Sequence, residues 1–119
     1  MKKTLVIGAS TKPERYSYKA INMLISHGHD VEAVGSRPGM IDNTVIKTGK
    51  PVFDDIHTVS LYVNPTNQKD YYEYILGLNP QRIVFNPGTE NPEFEQMAQE
   101  SGIEAVEACT LVLLSTGQF

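Results

Sequence analysis

The sequence predicts an α/β fold, a Rossmann-like three-layer sandwich with a mostly parallel five-stranded sheet, and two observations support this. Short apolar runs typical of strands alternate along the whole chain with segments of helical period. Such alternation indicates right-handed β-α-β crossovers, which make consecutive strands parallel. The length of 119 residues, with 40% hydrophobic and 20% charged residues, predicts one domain over residues 1–119.

Five strands are predicted as apolar runs bounded by turn residues. They are Thr4–Ile7, Val31–Val34, Ser60–Val63, Ile83–Phe85 and Ile103–Val106. The segment from Thr44 to Phe53 is harder to assign because Gly49 and Pro51 interrupt its strand pattern. We expect a small hairpin or an irregular excursion around Gly49.

Helices are predicted between the strands from apolar residues at helical spacing. They cover about Ser17 to His27, the segment after Thr66 to about Leu78, the segment between Asn91 and Gly102, and Cys109 to Leu114. In the first helix Ile21, Leu24 and Ile25 share one face, which predicts that they pack on the sheet. Asn91 followed by Pro92 is typical of an N-cap and the first helical position.

Composition excludes several classes of function. Ten basic and fourteen acidic residues give a net charge of −4, which argues against a general nucleic-acid binder. No apolar run approaches the roughly 20 residues that span a bilayer, so no membrane partner is expected. The single cysteine, Cys109, excludes an intrachain disulfide and a Cys-paired zinc site. We therefore expect a cytoplasmic protein.

The loops after the strands are where a ligand is expected, because parallel α/β sheets bind ligands at the carboxyl ends of their strands. Four predicted loops share that edge: 9–16, 35–39, 64–66 and 86–90. They contain most of the Gly, Ser, Thr and Asn that a phosphate site made of backbone groups requires.

The loop from Gly8 to Arg15 follows a strand and leads into a helix, the setting in which backbone N–H groups and a helix N-terminus bind phosphate. It is not the Gly-x-Gly-x-x-Gly motif, because Ser10 and Pro13 replace the later glycines. Ser10 and Thr11 offer hydroxyl donors, and Lys12 and Arg15 offer charge. The alternative is that Gly8 only ends the strand and that the two cations are solvated.

The turn after the second strand reads Gly35-Ser36-Arg37 and lacks the acidic residue that holds the ribose of NAD. An arginine there suits a phosphate on the adenosine ribose, as in NADP or coenzyme A, because a guanidinium can bind phosphate through two donors. The alternative is a surface arginine in a turn.

Five groups of residues, in order along the chain, carry a resemblance to a known family. They are Gly8-Ala9-Ser10 with Pro13, Arg15, Ser17 and Tyr18; Val34-Gly35-Ser36-Arg37 with Gly49-Lys50-Pro51-Val52; Asn64-Pro65; Asn86-Pro87-Gly88-Thr89-Glu90-Asn91; and Glu107-Ala108-Cys109-Thr110-Leu111. Over essentially its whole length the chain resembles the CoA-binding domain family, small proteins similar to the nucleotide-binding domain of succinyl-CoA synthetase α-subunits.

The resemblance implies binding of coenzyme A or an acyl-CoA, with the adenosine diphosphate across the first two loops. Ser10 and Arg15 match the family's phosphate loop and Arg37 its adenosine-side turn. Many relatives read Val-Asn-Pro where this chain has Val34-Gly35-Ser36, so the adenosine contacts differ in detail. The predicted cofactor-binding residues are Gly8, Ala9, Ser10, Thr11, Lys12, Arg15, Ser17, Gly35, Ser36, Arg37, Asn64, Pro65, Asn86, Pro87 and Gly88.

No catalytic or metal-binding residues are predicted. His27 and His29 are expected to have structural roles at a helix end, and His57 to lie in a solvated turn. Cys109 is expected to be a small buried apolar residue. The leading hypothesis is therefore a protein that binds CoA or acyl-CoA without catalysis. The alternatives are a small NADP-binding oxidoreductase component and an interaction domain without a ligand. A small-molecule nucleotide is the expected partner, and a homodimer is a further hypothesis.

Overall fold

A computed structural model describes residues 2–119, which form a seven-stranded sheet with helices on both faces. The strands are β1 (Thr4–Ile7), β2 (Val31–Val34), β3 (Gly39–Ile41), β4 (Thr44–Lys47), β5 (Thr58–Leu61), β6 (Arg82–Phe85) and β7 (Glu104–Glu107). The helices are α1 (Tyr16–Ser26), α2 (Pro65–Gln68), α3 (Tyr72–Leu78), α4 (Pro92–Glu100) and α5 (Thr110–Ser115), with a 3₁₀ turn at Lys69–Tyr71 between α2 and α3. No helix within residues 2–119 is long and apolar enough to span a bilayer.

The strand order is β3-β4-β2-β1-β5-β6-β7, and every neighbouring pair except β3 and β4 is parallel. The chain moves from β1 to β2 on one side and later to β5 on the other side of β1. The predicted Rossmann-like α/β class is therefore confirmed. The carboxyl ends of β2, β1 and β5 lie side by side, which is where the strand order reverses.

The strand count of five is wrong, because β3 and β4 form an antiparallel hairpin that extends the sheet. Met40 pairs with Val45 and Ile41 with Thr44, and β4 then pairs in parallel with β2. Asp42 in the turn has a φ of 51°, the left-handed conformation that tight hairpin turns require. These strands have only three and four residues, and the buried Ile41 and Ile46 provide too short an alternation to predict them from periodicity.

The core lies on the two faces of the sheet, as the alternation of side chains along β1 requires. Leu5 and Ile7 belong to a buried cluster that includes residues of α3 and α4. Val6, between them, belongs to the opposite cluster, with residues of α1 and α5. Three layers result, helices, sheet and helices, as the sequence predicts.

Several boundaries and one orientation differ from the predictions. The third parallel strand covers Thr58–Leu61 instead of Ser60–Val63, because Thr58 is fully buried in the sheet. Ile25, predicted to face the core, is 38% exposed. It lies at the edge of the face formed by the buried Ile21 and Leu24. The predicted N-cap at Asn91 is confirmed, since its side chain accepts a hydrogen bond from Phe94 N at 3.2 Å.

Candidate functional site

A cleft of about 670 Å³ opens at the carboxyl ends of β2, β1 and β5. This volume lies within the range of about 300–1,000 Å³ that is usual for ligand pockets. Its walls are the loop after β1, the turn after β2 and the segment that follows β5. The lining residues are Gly8, Ala9, Ser10, Thr11, Lys12, Arg15, Gly35, Ser36, Arg37, Pro38, Tyr62, Val63, Asn64, Asn67, Asp70 and Tyr71.

Glycines bring the three walls into direct contact at the base of the cleft. A Cβ at Gly8, whose φ is 95°, would lie 2.8 Å from the backbone oxygen of Tyr62. A Cβ at Gly35 would lie 2.3 Å from the backbone oxygen of Ala9. The N–H groups of Gly8 and Ala9 both donate to Val34 O, at 2.9 and 3.0 Å. The absence of side chains at positions 8 and 35 therefore sets the spacing of the walls.

The loop after β1 is held in a turn by its own polar groups. Lys12 N donates to Ser10 Oγ at 3.1 Å, and Arg15 N donates to Lys12 O at 3.0 Å. Thr11 packs against the start of β3, where a Cβ at Gly39 would lie 2.5 Å from Thr11 Cγ2. These contacts leave the side chains of Lys12 and Arg15 exposed at the mouth of the cleft.

The N-terminus of α1 opens into a second cleft of about 210 Å³ that shares Gly8, Ser10, Arg15 and Tyr62 with the first. The N-cap, Arg15, makes no side-chain capping hydrogen bond, and the N–H of Lys19 donates to its carbonyl oxygen at 3.2 Å. The first N–H groups of a helix have no partner within the helix and carry partial positive charge. The two clefts therefore meet at donors suited to an anion.

The charge around the large cleft is mostly positive and unpaired. Lys12, Arg15 and Arg37 line it together with one carboxylate, that of Asp70. Within residues 2–119 the only ion pair joins Lys3 and Glu32 at 3.9 Å, away from the cleft. Although the chain carries a net charge of −4, the cleft concentrates exposed cations.

Tyr62 lies where the two clefts meet and has a buried hydroxyl. That hydroxyl has no hydrogen-bond partner within the described residues, and the neighbouring Ser60 and Thr110 hydroxyls bond each other at 2.8 Å. Burial raises the pKa of Tyr62 to about 12, although the nearby hydroxyls of Thr110 and Ser60 act in the opposite direction. The phenol therefore stays neutral at physiological pH and adds no charge to the site.

Comparison with known proteins shows the family of this chain. A model of the CoA binding domain matches residues 2–115. The chain belongs to the CoA binding domain family. The glycine-lined cleft with three cations lies at the carboxyl ends of the central strands, the edge at which open parallel α/β sheets bind ligands. No curated protein matches the chain.

Several solved structures are similar to this CoA binding domain over nearly its full length. One is the crystal structure of an uncharacterized protein, with 50% identity, a TM-score of 0.98, and coverage of 100% of this chain and 98% of that chain. A hypothetical protein from Pyrococcus horikoshii has 27% identity and a TM-score of 0.87, with coverage of 97% and 82%. A protein from Thermus thermophilus, at 24% identity, a TM-score of 0.81 and coverage of 99% and 90%, shares the fold.

The structure brings ten of the fifteen predicted binding residues to the large cleft: Gly8, Ala9, Ser10, Thr11, Lys12, Arg15, Gly35, Ser36, Arg37 and Asn64. Ser17 is only 4% exposed and lines the small cleft. Pro65 begins α2, and the side chain of Asn64 caps that helix by accepting from Asn67 N at 2.9 Å. Pro65, Pro87 and Gly88 do not line either cleft.

Asn86 lies outside both clefts, where its amide joins β5 to α5. It is 1% exposed, and its Nδ2 donates to Ser60 Oγ at 2.9 Å and to Leu61 O at 2.8 Å. Its Oδ1 accepts from Thr110 N, at the start of α5, at 2.8 Å. All polar atoms of the side chain are therefore engaged within the protein.

Six lining residues were missed from the sequence: Pro38, Tyr62, Val63, Asn67, Asp70 and Tyr71. The sequence predicts Tyr62 and Val63 as the end of a strand, whereas β5 ends at Leu61 and both residues lie in the segment after it. Asn67, Asp70 and Tyr71 lie at helical spacing of three and four residues, which places them on one face. That spacing, counted from Asn64, is the signal that could have found them.

The histidines and the cysteine do not line either cleft. His29 accepts from Lys2 N at 3.0 Å and packs against Phe119, with ring centroids 5.1 Å apart and ring planes tilted by 59°. His57 is half-buried, not fully solvated as predicted, and its Nδ1 lies 2.7 Å from Thr58 Oγ1. No group of three or more His, Cys, Asp or Glu side chains within residues 2–119 is arranged to hold a metal ion.

Proposed function

We propose that this protein binds coenzyme A or an acyl-CoA in the large cleft and catalyses no reaction of its own. The observation that carries the proposal is the set of three unpaired cations, Lys12, Arg15 and Arg37, around a glycine-lined cleft in a CoA binding domain. Coenzyme A has two groups of negative charge, a diphosphate and a phosphate on the adenosine ribose. Two separate cationic loops match them.

The diphosphate would lie where the two clefts meet. Ser10, Arg15 and the N-terminus of α1 surround that place, and the backbone of Gly8 leaves it open. N–H groups at a helix N-terminus and a guanidinium are strong donors to phosphate oxygens. The ribose phosphate would then lie beside Arg37, on the turn after β2, because that turn meets the adenosine ribose in Rossmann-type folds.

The lining of the cleft favours binding over catalysis. It contains no histidine or cysteine, and Asp70 is its one carboxylate. General acid–base and nucleophilic catalysis require a nucleophile and a base within hydrogen-bond reach of each other. The lining offers no such pair. Cytoplasmic location and homodimer formation remain predictions.

Calorimetric titration with coenzyme A, NADP and NAD tests the ligand. We expect coenzyme A to bind most tightly. NADP should bind more weakly because its ribose phosphate is at the 2′ instead of the 3′ position, and NAD most weakly because it has no such phosphate. Lys50→Ala removes an exposed cation that does not line the cleft, and this variant should bind coenzyme A as the wild type does. It therefore controls for an effect of net charge alone. Equal or tighter binding of NADP would overturn the proposal in favour of the oxidoreductase alternative, and no binding of any nucleotide would favour the interaction domain.

A further inference from the structure

The charges of the large cleft are distributed unevenly. Lys12, Arg15 and Arg37 all lie on the loops after β1 and β2. From the segment that follows β5, no cation lines the cleft, since the exposed Lys69 is not among the lining residues, and Asp70 is the one carboxylate of the lining. One side of the cleft is therefore cationic, and the other is polar with a single negative charge.

This inference rests on the proposed function: if coenzyme A binds in the cleft, the uneven charge determines the orientation of the bound ligand. If Arg37 meets the ribose phosphate after β2 and the diphosphate lies beside α1, the pantetheine arm leaves toward β5. Strands β2, β1 and β5 are consecutive in the sheet, and neighbouring strands lie about 4.8 Å apart. The arm would therefore lie along Tyr62 and Asn64, with Asn67, Asp70 and Tyr71 farther along the same segment.

The end of that path combines an apolar surface with a free carboxylate. Tyr71 is half-buried and packs against the core, with its ring centroid 6.3 Å from that of Tyr74. Asp70 is exposed, and within the described residues no Lys, Arg or His neutralises it in an ion pair. A neutral acyl chain can lie against the Tyr71 ring. An acyl chain that ends in a carboxylate would bring a second negative charge toward Asp70.

We propose that Asp70 makes this site select coenzyme A and neutral acyl-CoA esters over acyl-CoA esters whose acyl group ends in a carboxylate. The repulsion acts between two exposed charges, so it is modest and depends on salt. We expect a discrimination of about twofold to fivefold at low ionic strength, on the scale measured for exposed charge pairs.

Butyryl-CoA and succinyl-CoA test the proposal because their acyl chains have equal length and differ in terminal charge. For the wild-type protein, calorimetry should give the higher Kd for succinyl-CoA. Asp70→Asn keeps the shape of the side chain and should bring the ratio of the two Kd values close to one. Glu73→Gln removes an exposed carboxylate on α3 that does not line the cleft, and should leave the ratio as in the wild type.

The outcomes separate this inference from the proposed function. Equal Kd values for the two esters in the wild type, or a ratio that Asp70→Asn does not change, would overturn the role of Asp70 while CoA binding stands. A ratio lost equally in Glu73→Gln would also overturn it, because the effect would then come from net charge. Failure of coenzyme A itself to bind would overturn the proposed function.

Discussion

The backbone oxygen of Ala9 lies so close to Gly35 that a Cβ at position 35 would be 2.3 Å away from it. The same Cβ would lie 3.0 Å from Cγ2 of Ile46, a fully buried core residue of β4. A side chain at position 35 would therefore push the loop after β1 away from the turn after β2. Because these segments carry the cations of the cleft, the contact links the stability of the fold to the shape of the site.

Gly35→Ala should consequently reduce both stability and ligand binding. We expect the free energy of unfolding to fall by about 1–3 kcal/mol, the usual cost of forcing extra atoms into a packed region. Urea denaturation monitored by circular dichroism measures this change. Coenzyme A should also bind more weakly, because the loops must separate.

Gly77→Ala provides the matched control for that prediction. Gly77 lies within α3, and a Cβ there would meet nothing within 4 Å. This variant should raise the free energy of unfolding by about 0.5–1 kcal/mol, since alanine favours a helix more than glycine does. A Gly35→Ala protein as stable as the wild type would contradict the close contact.

Arg37→Ala should weaken coenzyme A more than 3′-dephospho-coenzyme A. The two ligands differ only in the ribose phosphate that Arg37 is proposed to bind. Loss of a hydrogen bond to a charged group should cost about 1.5–3 kcal/mol of binding free energy for coenzyme A. Titration of both ligands with the variant and the wild type measures it. If both ligands weaken equally, Arg37 does not bind that phosphate.

The sequence predicted the cationic half of the site but not the other half. The loop from Gly8 to Arg15 carries local signals, a strand end, hydroxyls, cations and a helix start, that need no tertiary information. Asp70 and Tyr71 carry only their spacing from Asn64 and Asn67, and such spacing does not by itself show that a face lines a ligand site. Their place in the cleft follows from the adjacency of β5 and β1, which a single sequence does not specify.

The fold shows the same division. The short parallel strands that alternate with helices could be predicted. The expected hairpin or irregular excursion was placed around Gly49, whereas the β3–β4 hairpin turns at Asp42. Asn86 illustrates a further difficulty. An asparagine after a strand is equally typical of a ligand-binding loop and of a buried position where its amide joins two elements of the fold. Only the hydrogen-bond partners of the amide distinguish these two roles. The predicted role of Asn86 as a ligand contact therefore remains to be tested.

Acidification should destabilise the protein through His29 and His57. Burial, followed by neighbouring positive charge that includes Lys2 for His29 and Arg82 for His57, lowers the pKa of both below the usual 6.5. The unfolded chain then binds protons more readily than the folded one, so stability is complete above about pH 6.5 and decreases as the pH falls through the lowered values.

Urea denaturation at pH 8 and pH 5.5 tests this linkage. The double variant His29→Asn, His57→Asn should lose less stability between the two pH values than the wild type, because it lacks both titrating groups. The carboxylates that also respond to acid are common to both proteins, so they cancel in the comparison. Equal losses in the two proteins would show that the histidines do not contribute.

Asn86→Ala should destabilise the fold without a direct effect on ligand affinity. The substitution leaves the buried Thr110 N without the side-chain oxygen that accepts from it at 2.8 Å. A buried polar group that loses its partner costs about 1–3 kcal/mol, so the free energy of unfolding should fall by at least that amount. Gln81→Ala is the control, because Gln81 is exposed and a surface substitution changes stability by about 0.5 kcal/mol or less.

The affinity for coenzyme A separates a structural role from a binding role. Measured at a temperature where the variant is fully folded, coenzyme A should bind to Asn86→Ala as it does to the wild type, since Asn86 lines neither cleft. A large loss of affinity with unchanged stability would instead make Asn86 a ligand contact, as the sequence predicted.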